Sequence, residues 1–298
     1  MSSVKKIKAQ IGSVSNIQKI TKALEIVSTV KLQKVKQKTE SYRDFMLDFL
    51  GLLNIVSNRV DIFQQSEVKS KKRLIIVVSS DKGLCGALNS KLMRHIFAKY
   101  SNEWKDKVDI FCIGKKAFEF FVRSGFNVIG NIDSKDNIDE IDLYQVNKYL
   151  RDAIAENKYE KIKVYFNYFK NTITQVPLRF KIFPLDQESF DRYVENLGIA
   201  LDDVKISDIE HKDLLIEPNL KEFSRELINQ LIEHMIYGAV LQNKTGEFSA
   251  RMLAMKNAKD NSDEIIKQLK LGFNKARQSI ITQEVSEIMS AKMAIEEA

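Results

Sequence analysis

Apolar side chains fall at Val4, Ile7, Ile11 and Val14, resume at Ile17, Ile20, Leu24 and Val27, and continue through Val35, Tyr42, Met46, Phe49, Leu53 and Val56. Steps of three and four place them on one face of a helix, and the phase shift near Asn16 is of the kind a stutter or stammer produces. Residues 1–58 are therefore predicted as one helix, roughly 85 Å long. A second stripe runs through Leu220, Phe223, Leu227, Leu231 and Met235, then Met252 and Met255, then Ile265, Leu269, Phe273 and Ile280. Pro218 marks its start and Asn219 can cap it, giving a helix over 219–298 of about 120 Å. The three prolines, Pro177, Pro184 and Pro218, all lie between these segments. Since an interior proline costs a helix about 3 kcal/mol, their absence elsewhere permits such lengths. Gly238, Gly246 and Gly272 are candidates for a bend or a close helix contact.

Between the helices, over 70–185, short apolar runs alternate with amphipathic ones. Residues 74–78, 108–113, 162–169 and 176–183 read as strands, and 88–100, 115–124 and 140–157 as helices. This alternation implies parallel pairing through crossover helices. Pro177 puts the last strand at an edge, where a missing N–H is tolerated. The predicted fold is α/β: a long antiparallel coiled coil of N- and C-terminal helices with an inserted open α/β, Rossmann-like, sheet domain. An insertion that holds the end of one helix near the start of the other makes them antiparallel, and the a/d seam between them is buried. The second helix is the longer. Its end, from about Phe273, overhangs and carries Val285, Ile288, Met289, Met293 and Ile295, apolar residues that call for a socket in another protein.

The composition, 44% hydrophobic and 29% charged, fits neither disorder nor a membrane-embedded chain. The longest apolar run, Leu74 to Val78, is far short of the ~20 residues a bilayer requires. The opening MSSVKKIKAQ continues as amphipathic helix, so export is not expected. Residues 1–38 hold nine lysines against the single acid Glu25, whereas 186–217 carries ten acids against Arg192, Lys205 and Lys212. The latter segment reads as an acidic linker, and the former as a surface for an acidic partner or a solvated face. Cys85 and Cys112 read as small buried apolar residues.

Little in the chain points to catalysis. The loop Ser79 to Gly86 follows a strand and precedes a helix, where α/β sheets bind phosphates, but it lacks the G-x-x-x-x-G-K-[ST] cradle and reads as a tight turn. His95, His211 and His234 lie in different elements without ligand spacing, so no metal is expected. No cofactor is expected either. Arg251, Lys256, Lys275, Arg277, Gln278 and Thr282 lie near or within the overhanging part of the last helix and gain interest from the expected socket.

Four stretches carry a resemblance: Ile17 to Glu25 (IQKITKALE), Ser80 to Asn89 (SDKGLCGALN), Ala250 to Ala258 (ARMLAMKNA) and Asn274 to Glu284 (NKARQSIITQE). In this order they closely resemble the γ subunits of F-type ATP synthases, over nearly the whole chain. The resemblance implies a non-catalytic rotor shaft that transmits torque between a proton-driven c ring and a catalytic hexamer of α and β subunits. Its C-terminal tip, with Val285, Ile288, Met289 and Met293, would stand in the hexamer's sleeve. Its α/β domain would lie outside, beside the ε subunit and the c ring. Arg277, Gln278 and Thr282 match positions that hydrogen-bond a loop of β. Lys19, Lys22 and Leu24 fall where the shaft meets an acidic loop of β, Leu24 standing where methionine is frequent. Leu214, Leu215, Ile216 and Glu217 match the foot that faces the c ring and ε. Ala87, Ser249 and Ser279-Ile280 depart from the usual pattern, and the paired-cysteine insertion of chloroplast relatives is absent. Peripheral attachment to the cytoplasmic face of a bacterial inner membrane is implied, with the matrix side of a mitochondrial membrane as the alternative. The competing reading is a basic coiled-coil protein that binds nucleic acid or anionic membrane, but no nucleic-acid motif accompanies the charge.

Overall fold

The computed structural model describes residues 2–57, 71–100, 102–199 and 216–296. The first helix, α1, spans Ser2–Ser57, and the last, α6, spans Leu220–Glu296. Asn219 starts α6 as anticipated, its Oδ1 accepting the Glu222 amide at 3.0 Å. Between them come β1 (Arg73–Val78), α2 (Leu88–Lys99), β2 (Val108–Ile113), α3 (Lys115–Arg123), β3 (Asn127–Ile132), α4 (Tyr144–Ala155), β4 (Lys161–Phe169), β5 (Gln175–Phe183) and α5 (Gln187–Asn196). Contacts divide the chain into two units, Thr29–Arg251 and the pair Met1–Ser28 with Met252–Ala298.

In the larger unit the strands form one sheet in the order β3-β2-β1-β4-β5. The first four are parallel and β5 is antiparallel to β4, with Pro177 on that edge strand. One face packs on α1 and α6 through Met46, Leu53, Ile76, Val164, Leu231 and Met235, and the other on α2 and α3 through Ile75, Val77, Ile110, Leu92, Ile96 and Phe121. Each fully buried side chain of this size contributes about 1.5–3 kcal/mol relative to exposure. The two helices are antiparallel here: Tyr42 donates to the His234 carbonyl, and the Thr39 and Thr245 hydroxyls lie 3.3 Å apart. Gly238 is the close helix contact, since a Cβ there would lie 2.8 Å from the Tyr42 ring.

Two elements escape the sequence reading. β3 is broken up by Asn127, Gly130 and Asn131, so it lacks an apolar run. Gly130 is required by packing, because a Cβ would come within 2.4 Å of the Phe111 ring. The start of the expected acidic linker instead forms α5. Asp186 accepts the Ser189 amide at 2.9 Å as N-cap, and the buried Tyr193 ring meets Phe180 at 5.4 Å between centroids.

The smaller unit corrects the expected stripe on α1. Val4, Ile7, Ile11 and Val14 are half-buried, but the inner face then continues in the same heptad phase through Gln18, Thr21 and Ser28. Ile17, Ile20 and Val27 lie outside, at 52%, 60% and 48% exposure. No phase shift follows the apolar residues, because the polar ones are satisfied inside: Thr21 donates to the Ile17 carbonyl and Ser28 to the Leu24 carbonyl. Gln18 hydrogen-bonds across to Asp263 and Glu25 lies close enough to act on Lys259, so this unit is antiparallel as well.

Candidate functional site

The smaller unit presents polar and apolar side chains outward on both helices. Arg277, Gln278 and Thr282 are exposed on α6. Gln278 and Thr282, four apart, share a face, with Arg277 one position to the side. Toward the end of α6, Val285, Ile288, Met289 and Met293 are 53%, 69%, 56% and 60% exposed, and Ile295 is 77% exposed. On α1, Lys19 and Lys22 are exposed and Leu24 is half-buried. Beside them run the outward Ile17, Ile20, Ile26 and Val27, an apolar row interleaved with lysines, of which Ile17, Ile20 and Val27 were expected in the seam. The overlooked signal is the unbroken heptad from Val4 to Ser28, which fixes the inner face whatever residue occupies it.

Two α1 lysines in the larger unit have internal uses. Lys31 pairs with Asp136 at 2.5 Å and Lys38 pairs with Asp139. Those left exposed on α1 include Lys5, Lys6, Lys8, Lys19, Lys22 and Lys34. Of the foot positions, Ile216 is half-buried and Glu217 exposed, while Leu214 and Leu215 lie outside the described residues.

The loop after β1 is held by α6. Arg251 donates to the Gly83 carbonyl at 3.1 and 3.2 Å and to the Lys82 carbonyl at 3.2 Å. Lys244 donates to the Ser134 carbonyl at 2.7 Å, and both cations meet Glu247, at 3.1 and 2.8 Å. Lys244, Glu247 and Arg251 are 1%, 1% and 8% exposed, so Arg251 belongs to this clamp and not to the outward surface where the sequence reading placed it. The loop thus turns carbonyl oxygens toward cations, the reverse of an amide-lined anion cradle. Asp81 ties the other side, accepting the Lys115 and Ser134 amides at 2.9 and 3.1 Å.

Both cysteines are free and buried, and burial pushes the Cys112 thiol up to about 12. Among the described residues no cluster of His, Cys, Asp and Glu could hold a metal ion, and no helix is long and apolar enough to cross a membrane.

A family model described as ATP synthase matches residues 3–295. The ATP synthase gamma chain of Legionella pneumophila (strain Corby) is 33% identical over 302 residues, covering 99% of this chain and 100% of the relative. This chain belongs to the ATP synthase gamma chain family. The gamma chain of Ruthia magnifica is 35% identical over 303 residues, again across 99% of this chain and 100% of the relative. Among solved structures, a chain of the Euglena gracilis mitochondrial ATP synthase in rotational state 3 has a TM-score of 0.68 at 20% identity, covering 99% of this chain and 95% of that one. A chain of the Tetrahymena thermophila central stalk and c ring has a TM-score of 0.59 at 21% identity, with 80% and 99% covered. The gamma-chain fold, two long helices around an inserted sheet domain, is therefore shared well beyond the sequence similarity.

Proposed function

We propose that this chain is the central rotor shaft of an F-type ATP synthase, a non-catalytic subunit that carries torque between the c ring and the hexamer of α and β subunits. Membership of the gamma chain family supports this reading, and the end of α6 carries it. A helix that exposes Val285, Ile288, Met289 and Met293 in succession leaves apolar area that a surrounding protein sleeve would remove from water.

The geometry suits torque transfer. A rotor needs stiffness along its axis and a rigid joint where load enters. Continuous main-chain hydrogen bonding through α1 and α6 supplies the first. The clamp of Lys244, Glu247 and Arg251 on the loops at 79–86 and 133–136 supplies the second, since it fastens the sheet domain to α6 through buried charge-assisted bonds. In this reading Ile216 and Glu217, with Leu214 and Leu215, form the foot toward the c ring and ε. Arg277, Gln278 and Thr282 engage β near the tip, and Lys19, Lys22 and Leu24 meet an acidic loop of β. The chain would sit on the cytoplasmic side of a bacterial inner membrane, held there through the complex.

Gentle extraction of the native membranes with a tagged chain tests the assignment: one copy should be recovered with α and β subunits in an ATP-hydrolysing complex. Recovery of the chain alone would refute it. Alanine at Arg277, Gln278 and Thr282 together should lower coupled ATP synthesis while helicity and assembly persist. Wild-type torque and synthesis in that variant would remove these residues from the coupling path.

A further inference from the structure

The edge strand β5 and its neighbour β4 collect positive charge that the described residues compensate only in part. Across the antiparallel pair of β4 and β5, Lys163 stands directly opposite Lys181 and Tyr165 opposite Arg179. Lys163 therefore faces one cation and has another on the diagonal of the same sheet face, an arrangement that destabilises a strand pair unless something neutralises it. Lys163, Arg179 and Lys181 line a crevice of about 160 Å³ whose far wall is the start of α5, including Asp186, Glu188 and Arg192. Its two acids are each paired with another group of the lining. Asp186 is held by Lys181 and by the Ser189 amide, and Glu188 by Arg192 at 2.5 Å. Among the described residues neither Lys163 nor Arg179 pairs with a carboxylate, and the Arg179 Nη1 is buried without a hydrogen-bond partner. A buried guanidinium donor left unmade is costly, and native structures satisfy nearly all such groups.

We propose that this crevice binds an oxyanion of phosphate size, which accepts a hydrogen bond from Arg179 Nη1 and is neutralised by Arg179 and Lys163, beside the Lys181 ammonium that Asp186 already holds. The size fits: the volume accommodates a phosphate or a carboxylate, and among the described residues of the lining Phe180 alone is aromatic. Guanidinium and ammonium groups converging from adjacent strands are the donor set that oxyanions take. The electrostatics agree. Burial lowers the Lys163 ammonium's pKa, and Arg73, Lys161 and Lys181 lower it further against the opposing pull of Glu160. A bound anion would reverse that shift, so binding should be linked to proton uptake at Lys163.

The test uses the full-length chain at low ionic strength, titrated with inorganic phosphate and, in parallel, with acetate. Heat of binding and the titration of the Lys163 side-chain resonance are followed together. Phosphate should saturate one site and raise the Lys163 pKa. Arg179→Gln and Lys163→Gln should each weaken binding about tenfold or more, while the remote Lys91→Gln leaves it unchanged. Saturation by acetate with the same dependence on Arg179 would support the site and make a carboxylate its oxyanion. Saturation by phosphate alone would support it with phosphate or a phosphoryl group as the occupant. Failure of both to saturate, or equal affinity in the wild type and both crevice variants, would overturn the proposal.

Discussion

Glu247 lies between two cations at the joint of α6 with the sheet domain, and almost none of it reaches water. Removing one member of a buried ionic group strands the others, which costs more than the intact group contributes. Glu247→Ala should therefore destabilise the protein by about 3–5 kcal/mol, read as a lower urea midpoint. His234 gives a second expectation. Its ring packs edge-on against Phe45 and Phe49 at 4.9 and 5.2 Å, with Glu140 3.5 Å from Nδ1. Burial depresses its pKa below the usual 6.5, although Glu140 and Glu233 pull the other way. Below 6.5 the unfolded chain takes up a proton that the folded one refuses, so this residue makes stability fall as pH drops through that value. Urea midpoints measured above and below 6.5 should differ less in His234→Gln than in the wild type.

Among the elements, α5 shows how one side chain can start a helix in a segment that reads as linker. Hydrogen bonds from Lys181 and the Ser189 amide outweigh partial burial and draw the Asp186 carboxyl down to about 2. Its contribution is present above the ordinary carboxylate range and is lost as pH falls toward that value. Asp186→Ala should cost about 0.5–2 kcal/mol at neutral pH, with the difference from wild type shrinking in acid, as thermal melts at both pH values would show. The long helices, β1, β2, β4 and β5 were legible because period and β-branched runs suffice to define them. β3 was not, because Gly130 answers to the Phe111 ring on a neighbouring strand, a constraint absent from its own segment. The inner face of α1 was misread for a related reason. Gln18, Thr21 and Ser28 look like surface, yet backbone carbonyls and Asp263 accept them where the heptad places them. The exposure of Arg277, Gln278 and Thr282 agreed with the sequence reading, but Arg251 did not, since its partners are main-chain oxygens that no sequence motif announces.

For the whole molecule, the shaft assignment predicts that the tip is an attachment and not a structural necessity. A chain ending after Ser290 should keep its helical content, followed by circular dichroism, yet be recovered with the hexamer in lower yield. A large loss of helicity would show that the tip supports the helices instead. The pairing of α1 with α6 also governs how the molecule comes into being. Gln18 and Asp263 are 245 positions apart. On the ribosome the first helix emerges with its outward isoleucines and its inner face both bare, and it must wait for almost the entire chain before its mate is made. The sheet domain, whose strands lie near one another in sequence, can form in the interval, while closure of the helix pair is left to the end. Newborn chains should therefore pass through a sticky, half-built stage whose length is set by translation speed, and slowing synthesis upstream of α6 should raise the demand for chaperones.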